Sequence, residues 1–249
     1  AWNGSDRFPM QSVYKLAIDF AVLQRVDAGR MALDGKVRVE ASDLPPPGVF
    51  SPIRDRHPEG GFDMTLEELL RAAVLESDGT ACDVLLRLMP ASEVTAALRS
   101  VGVQGMVVAT TEAAMTRGPE VQYRNWATPD ATLDLLAALE AGRGISAGSR
   151  DRLLRWMTES VPGPGRLKGE LPATAAVAHK TGTSGTHDGL TRATNDVGIL
   201  TLPDGRHVLI AVYVSDSPAT LSVREGVIAK IAHSVWDCWM KPKREPPPR

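Results

Sequence analysis

The sequence predicts an α+β fold in which an antiparallel sheet with packed helices adjoins an all-helical region. Three observations point there. Apolar residues recur at spacings of three and four through much of 12–159, short segments rich in Val and Ile take over from about 175, and one long amphipathic stretch follows at 223–239. Helices clustered ahead of a β-β-α ending do not fit alternating βα units. With 249 residues the chain is long enough to bury roughly three quarters of its unfolded surface. At 43% hydrophobic and 23% charged residues, collagen-like, low-complexity and wholly disordered classes are excluded.

Taking the elements in order, Val13, Leu16, Ala17, Phe20 and Leu23 predict a helix over 12–28, stopped by Gly29. Residues 43–63 hold Pro45-Pro46-Pro47-Gly48, Pro52, Pro58 and Gly60-Gly61, which predicts an irregular surface excursion. Thr65 followed by Glu67 and Glu68 reads as an N-cap for a helix through Leu66, Leu69, Leu70 and Val74. Further helices are expected at about 80–89, 92–100, 129–141 and 146–159, with Pro129 and Ser146 as start signals. Segments 175–180, 196–202 and 207–214 read as strands. The turn signal Leu202-Pro203-Asp204-Gly205-Arg206 makes the last two an antiparallel hairpin. Val223, Val227, Ile228, Ile231, Val235 and Trp239 then predict a C-terminal helix with one apolar face for the sheet. The tail 241–249 offers no apolar residue to bury and is expected to be a solvated end. No repeat is visible, so residues 1–249 are read as a single catalytic unit, helical over about 30–160 and sheet-bearing over about 170–240 together with the N-terminal residues.

Charge and cysteine usage narrow the function. The 28 basic and 30 acidic side chains give a net charge of −2 with no basic stripe, so nucleic acid is not an expected partner. No apolar run approaches the roughly 20 residues of a membrane span. Cys82 and Cys238 are too few and too distant for a zinc site or disulfide framework, and both fall in apolar helical patterns, which predicts two buried free thiols. The first residues show no signal-peptide pattern.

Three short segments carry chemistry. In Phe8-Pro9-Met10-Gln11-Ser12-Val13-Tyr14-Lys15, a Ser at a helix start and a Lys three residues on share one face, close enough for the amine to act on the hydroxyl proton. Glu76-Ser77-Asp78-Gly79 lies between two helical patterns and, alone, would be a turn. His179-Lys180-Thr181-Gly182-Thr183-Ser184-Gly185 ends a strand, where glycines permit close approach of another backbone or a ligand and Lys180 with the hydroxyls suits a carboxylate.

Together these match Ser-x-x-Lys, Ser-Asp-Asn and Lys-Thr-Gly in order, and the chain resembles the class A serine β-lactamases from about Phe8 to the C-terminal helix. The likeness is nearest to the extended-spectrum PER-type branch, through the Phe8–Val13 segment, Val121-Gln122-Tyr123 with Asn125-Trp126, Arg166-Leu167-Lys168-Gly169 and 178–185. The resemblance implies the β-lactamase/transpeptidase-like fold. It also implies that Thr110-Thr111-Glu112-Ala113-Ala114-Met115 begins an omega loop and that Glu112 is the water-activating glutamate.

Hydrolysis of a β-lactam amide needs a nucleophile, proton carriers, an oxyanion site and an activated water. By resemblance, Ser12 attacks the lactam carbonyl, Lys15 or Glu112 through a water takes its proton, and Ser77 protonates the departing nitrogen. The N–H groups of Ser12 and Thr183 hold the oxyanion. Lys180, Thr181, Thr183 and Arg166 form a corner for the substrate carboxylate, with Gly182, Ser184, Gly79 and Phe50 as further substrate-binding positions. Glu112 then activates the water that breaks the acyl-enzyme. No metal or organic cofactor is implied, and the expected partner is a small β-lactam, with a monomeric, periplasmic or secreted enzyme.

Two residues depart from the family pattern. Gly79 stands where the motif usually has Asn, which puts recognition of large acyl-amide side chains in doubt, and a positive φ there would oppose restoring Asn. Thr116 stands where most class A enzymes have an Asn that helps hold the hydrolytic water. The resemblance also implies a helix and two strands ahead of Ser-x-x-Lys, for which the eleven residues before Ser12 are too few. The stretch 207–214 is therefore expected as a bare sheet edge, on the side away from Lys180, in a less stable and more aggregation-prone chain. The alternatives are a penicillin-binding D-Ala-D-Ala carboxypeptidase or transpeptidase and a non-turnover β-lactam sensor.

Overall fold

The computed structural model describes residues 1–240; the tail expected at 241–249 lies outside them. After β1 (Phe8–Pro9), a 3₁₀ turn at Gln11–Val13 runs into α1 (Tyr14–Asp27), close to the predicted 12–28. Every residue of α1 from Tyr14 to Leu23 is buried, so this helix is the central pillar of the core.

The proline-rich region is more ordered than its composition predicts. Strands β2 (Lys36–Val39) and β3 (Phe62–Thr65) pair antiparallel, and α2 (Pro52–Arg56) sits between them. Ser51 caps α2 by accepting from the Arg54 N–H, with Pro52 at the first helical position. Four-residue strands and a five-residue helix are too short to show a period, which is why the sequence reads as irregular there. Thr65 caps α3 (Leu66–Arg71) in a capping box with Glu68. A π-helical stretch, Ala72–Glu76, leads to Ser77, and then come α4 (Gly79–Leu88) and α5 (Ala91–Ser100).

Short strands β4 (Met106–Val107) and β5 (Trp126–Ala127) flank the loop that carries α6 (Glu112–Met115), and β5 also pairs with β1. Helices α7 (Pro129–Glu140) and α8 (Ala147–Glu159) start at Thr128 and Ser146 caps. The main sheet follows: β6 (Ala176–Thr183), β7 (Thr186–His187), β8 (Leu190–Thr201) and β9 (His207–Ser217), then α9 (Leu221–Met240). Strand β8 starts six residues before the predicted 196 because Thr191, Thr194 and Asn195, though polar, are buried ladder partners of β6, β7 and β9. Strand β9 pairs with β8 on one side, and no described strand pairs with it on the other.

The sheet separates two apolar clusters. Ala178, Val197 and Ile199 join the large core of α1, α3–α5, α7 and α8, whereas Val177, Leu200, Val208, Ile210 and Val212 pack with Ile228, Ala232 and Trp236 of α9. The sequence places the wrong residues on the inner face of α9: Val223, Val227, Ile231 and Trp239 are exposed. The helix is apolar on two faces, so periodicity alone does not choose the one that packs. Cys238 shares the outward face and is exposed, while Cys82 is buried as expected.

Candidate active site

The site lies where α1, the Ser77 turn, α6 and the end of β6 converge around a cavity of about 670 Å3. Ser12, Lys15, Phe50, Ser77, Glu112 and Thr183 are among its walls. Ser12 sits in the first turn of the helical run, among N–H groups that lack intrahelical acceptors. Three contacts hold that turn. The Asn195 side chain donates to the Pro9 and Met10 carbonyls at 2.9 and 3.2 Å, and Gln11, in the left-handed region at φ 47°, donates from Nε2 to Gln122 Oε1 at 2.7 Å.

Lys15 is the hub. Its Nζ donates to Ser12 Oγ at 3.0 Å and to the Ser77 carbonyl at 2.7 Å, and lies 2.9 Å from Glu112 Oε1. Burial, the largest single influence, works against its charge, but the Glu112 carboxylate together with Cys82 and Asp78 raises its pKa above the ordinary lysine value. Lys15 is therefore an ammonium at neutral pH.

Ser77 follows the π-helical stretch with φ 64°, a left-handed residue that ends the helix and turns its hydroxyl toward Lys180. Lys180 Nζ donates to Ser77 Oγ at 2.9 Å and to the Thr181 carbonyl at 3.1 Å. Burial, and then the positive charge of Lys15, lower its pKa to about 7. Asp78 accepts from the Ala81 N–H at 2.8 Å and the Ile53 N–H at 2.7 Å, so it joins α4 to α2 beneath the cleft.

Glu112 is buried at the start of α6, not free in a loop. Thr111 caps that turn, and Asp83 of α4 accepts from the N–H groups of Glu112 and Ala113 at 2.8 and 2.9 Å. Asn125 closes the loop by accepting from Ala109 and Thr110 N–H and donating to the Thr110 carbonyl. Sequence reasoning does not find Asp83 as a holder of α6, because its partners are 29 and 30 residues away.

Of the residues expected to form a carboxylate corner, Arg166, buried, donates to Thr183 Oγ1 at 2.7 Å and to the Gly182 and Asn195 carbonyls, and pairs with Glu225 at 3.1 Å. Thr181 and Thr183 line the cavity, and Phe50 stands exposed at its rim. Three of the expected positions have structural contacts of their own. Gly182 serves backbone packing, since a Cβ there would overlap the Met10 carbonyl oxygen. Ser184 lines the cavity, but its hydroxyl accepts from the Arg192 and Ala193 N–H groups and donates to the Gly185 carbonyl, which turns it toward the β6–β8 connection. Gly79 has no positive φ; what crowds it is Val49. The Thr116 hydroxyl donates to the Ala113 carbonyl at 2.7 Å.

Residues 1–239 match the model of the β-lactamase enzyme family, and the chain belongs to that family, as a class A β-lactamase. Among relatives, the extended-spectrum β-lactamase PER-1 of Pseudomonas aeruginosa is 39% identical over 241 residues, 96% of this chain and 78% of that protein. β-Lactamase VEB-1 of the same organism is 38% identical over 241 residues, with 96% and 80% covered. The crystal structure of the TLA-1 extended spectrum β-lactamase superposes with a TM-score of 0.93 at 44% identity, covering 96% of this chain and 87% of that one. A β-lactamase from Chitinophaga pinensis gives 0.92 at 46%, with 95% and 87% covered. Among the described residues no helix is long and apolar enough to cross a membrane.

Proposed function

We propose that this enzyme opens the ring of penicillins and cephalosporins, extended-spectrum ones included, through an acyl-enzyme on Ser12 that water activated by Glu112 then hydrolyses. The observation that carries the reading is Lys15 Nζ, 3.0 Å from Ser12 Oγ and 2.9 Å from Glu112 Oε1. Because Lys15 is already protonated, the first acceptor of the Ser12 proton is Glu112, through a water, with the ammonium bridging nucleophile and base. The N–H groups of Ser12 and Thr183 receive the developing oxyanion. Ser77, polarised by Lys180, hands its proton to the leaving nitrogen and takes one back from Lys180, whose Nζ donates to its Oγ. Lys180, Arg166, Thr181 and Thr183 take the substrate carboxylate.

The test is a chromogenic cephalosporin, followed for turnover and for covalent mass. Turnover without a lasting adduct is expected, and Ser12→Ala abolishes both turnover and labelling. Glu112→Gln leaves acylation measurable and makes the adduct persist. A lasting stoichiometric adduct on the unaltered protein would instead identify a carboxypeptidase, transpeptidase or sensor.

A further inference from the structure

Tyr14, directly before Lys15, has a hydroxyl that is fully buried yet reaches the site. It donates to Glu112 Oε1 at 3.1 Å, and the Cys82 thiol donates to the tyrosine oxygen, also at 3.1 Å. A buried hydroxyl needs partners, but packing alone would be met by any acceptor. Here the acceptor is the oxygen that also contacts Lys15 Nζ at 2.9 Å. A phenol has one proton to give. With the thiol proton of Cys82 directed into the phenol oxygen, that proton is left for Glu112.

We propose that Tyr14, oriented by Cys82, is a positioning residue for deacylation: with Lys15 it holds Oε1 of Glu112 and so presents Oε2 to the attacking water. Burial raises the Tyr14 pKa well above the ordinary phenol value, and burial does the same for the Cys82 thiol, so both remain neutral donors across the working pH range. The other charged or titratable groups about Glu112 are Lys15 from α1, Asp83 from α4 and Lys180 from β6. None of the three replaces a neutral donor on Oε1. Without the hydroxyl the carboxylate keeps its ammonium partner but gains freedom to rotate, which slows deacylation, where Glu112 must aim the attacking water, more than acylation, where the Lys15 ammonium still bridges Ser12 and the carboxylate.

The inference rests on the assignment of Glu112 to deacylation, and one experiment separates the two. Acylation and deacylation rates of the intact protein, Tyr14→Phe, Cys82→Ala and Glu112→Gln are measured by stopped flow with a chromogenic cephalosporin, with adduct lifetime by mass spectrometry and melting temperature alongside. In Tyr14→Phe, which keeps the ring, deacylation is expected to slow by about tenfold, acylation to stay within about twofold and the adduct to accumulate. Cys82→Ala is expected to act in the same direction by a smaller factor. If Glu112→Gln stalls deacylation while Tyr14→Phe matches the parent, the proposal fails alone. If Tyr14→Phe lowers both steps together with melting temperature, the hydroxyl is structural and the proposal fails. If Glu112→Gln deacylates normally, the assignment of Glu112 fails and takes the proposal with it.

Discussion

Val49 occupies the space that a side chain on residue 79 would need. A Cβ built on Gly79 would lie 2.7 Å from Val49 Cγ1 and 3.0 Å from the Phe50 carbonyl oxygen, which already accepts from the Gly79 N–H. The strap bearing Val49 is held down by Arg54, whose Nη1 donates to the Pro46 and Val49 carbonyls at 3.0 and 2.9 Å. Backbone strain does not oppose a side chain at 79; this packing does.

Gly79→Asn alone is therefore expected to push the strap outward and lower kcat/KM for all substrates. Combined with Val49→Ala, the amide gains room and adds a contact to the substrate's acyl-amide, worth roughly 1 kcal/mol. Steady-state kinetics on substrates with and without that group, run as a double-mutant cycle, should show coupling of about 1 kcal/mol confined to the first kind. Additive effects, equal for both substrates, would reject the pairing.

Lys180 sets a pH dependence. Its pKa of about 7 means that the free enzyme loses the charge proposed to meet the substrate carboxylate as pH rises through that value. The expected result is a fall in kcat/KM on the alkaline side, with kcat less affected because bound carboxylate holds the proton. Lys180→Arg should displace that limb upward, since a guanidinium stays charged. An unchanged alkaline limb in the Arg variant would assign it to another group.

Asp19 carries a stability prediction. One turn beyond Lys15, it is fully buried and neither carboxylate oxygen has a hydrogen-bond partner. Burial raises its pKa well above 3.8, against the partial opposition of Lys180 and Lys15. The native state thus keeps a proton that the unfolded chain releases near pH 3.8, so its stability contribution is complete below that pH and declines as pH rises. Asp19→Asn should gain stability relative to the parent as pH increases, by up to about 1.4 kcal/mol per unit. Urea unfolding at about pH 5 and about pH 8 measures the gap, and a gap that does not widen contradicts the account.

Asp83 supports Glu112 from behind. Removing its carboxylate in Asp83→Ala frees the Glu112 and Ala113 N–H groups at the start of α6. Deacylation is expected to fall more than acylation, and hydrogen exchange over 109–115 to quicken. Unchanged exchange there would show that Thr111 and Asn125 suffice.

By itself the sequence determined what depends on neighbours a few residues apart. The Ser12–Lys15 face follows from helical spacing, the capping box of Thr65 and Glu68 from residues three apart, and the β8–β9 hairpin from the turn 202–206. Motif order then pointed to Ser77, Lys180 and Glu112 through likeness to a family, and the structure brings these together around Lys15. What only the tertiary structure decided involves partners far apart in the chain. Tyr14 meets Glu112 across 98 residues, and α9 buries Ile228, Ala232 and Trp236 while leaving Val227 and Ile231 outside. Val49 closes over Gly79 from a strap whose composition reads as loop. Side-chain periodicity records that a face is apolar but not which surface will cover it, and a hydrogen bond between distant residues exists only once packing has placed donor and acceptor within about 3 Å.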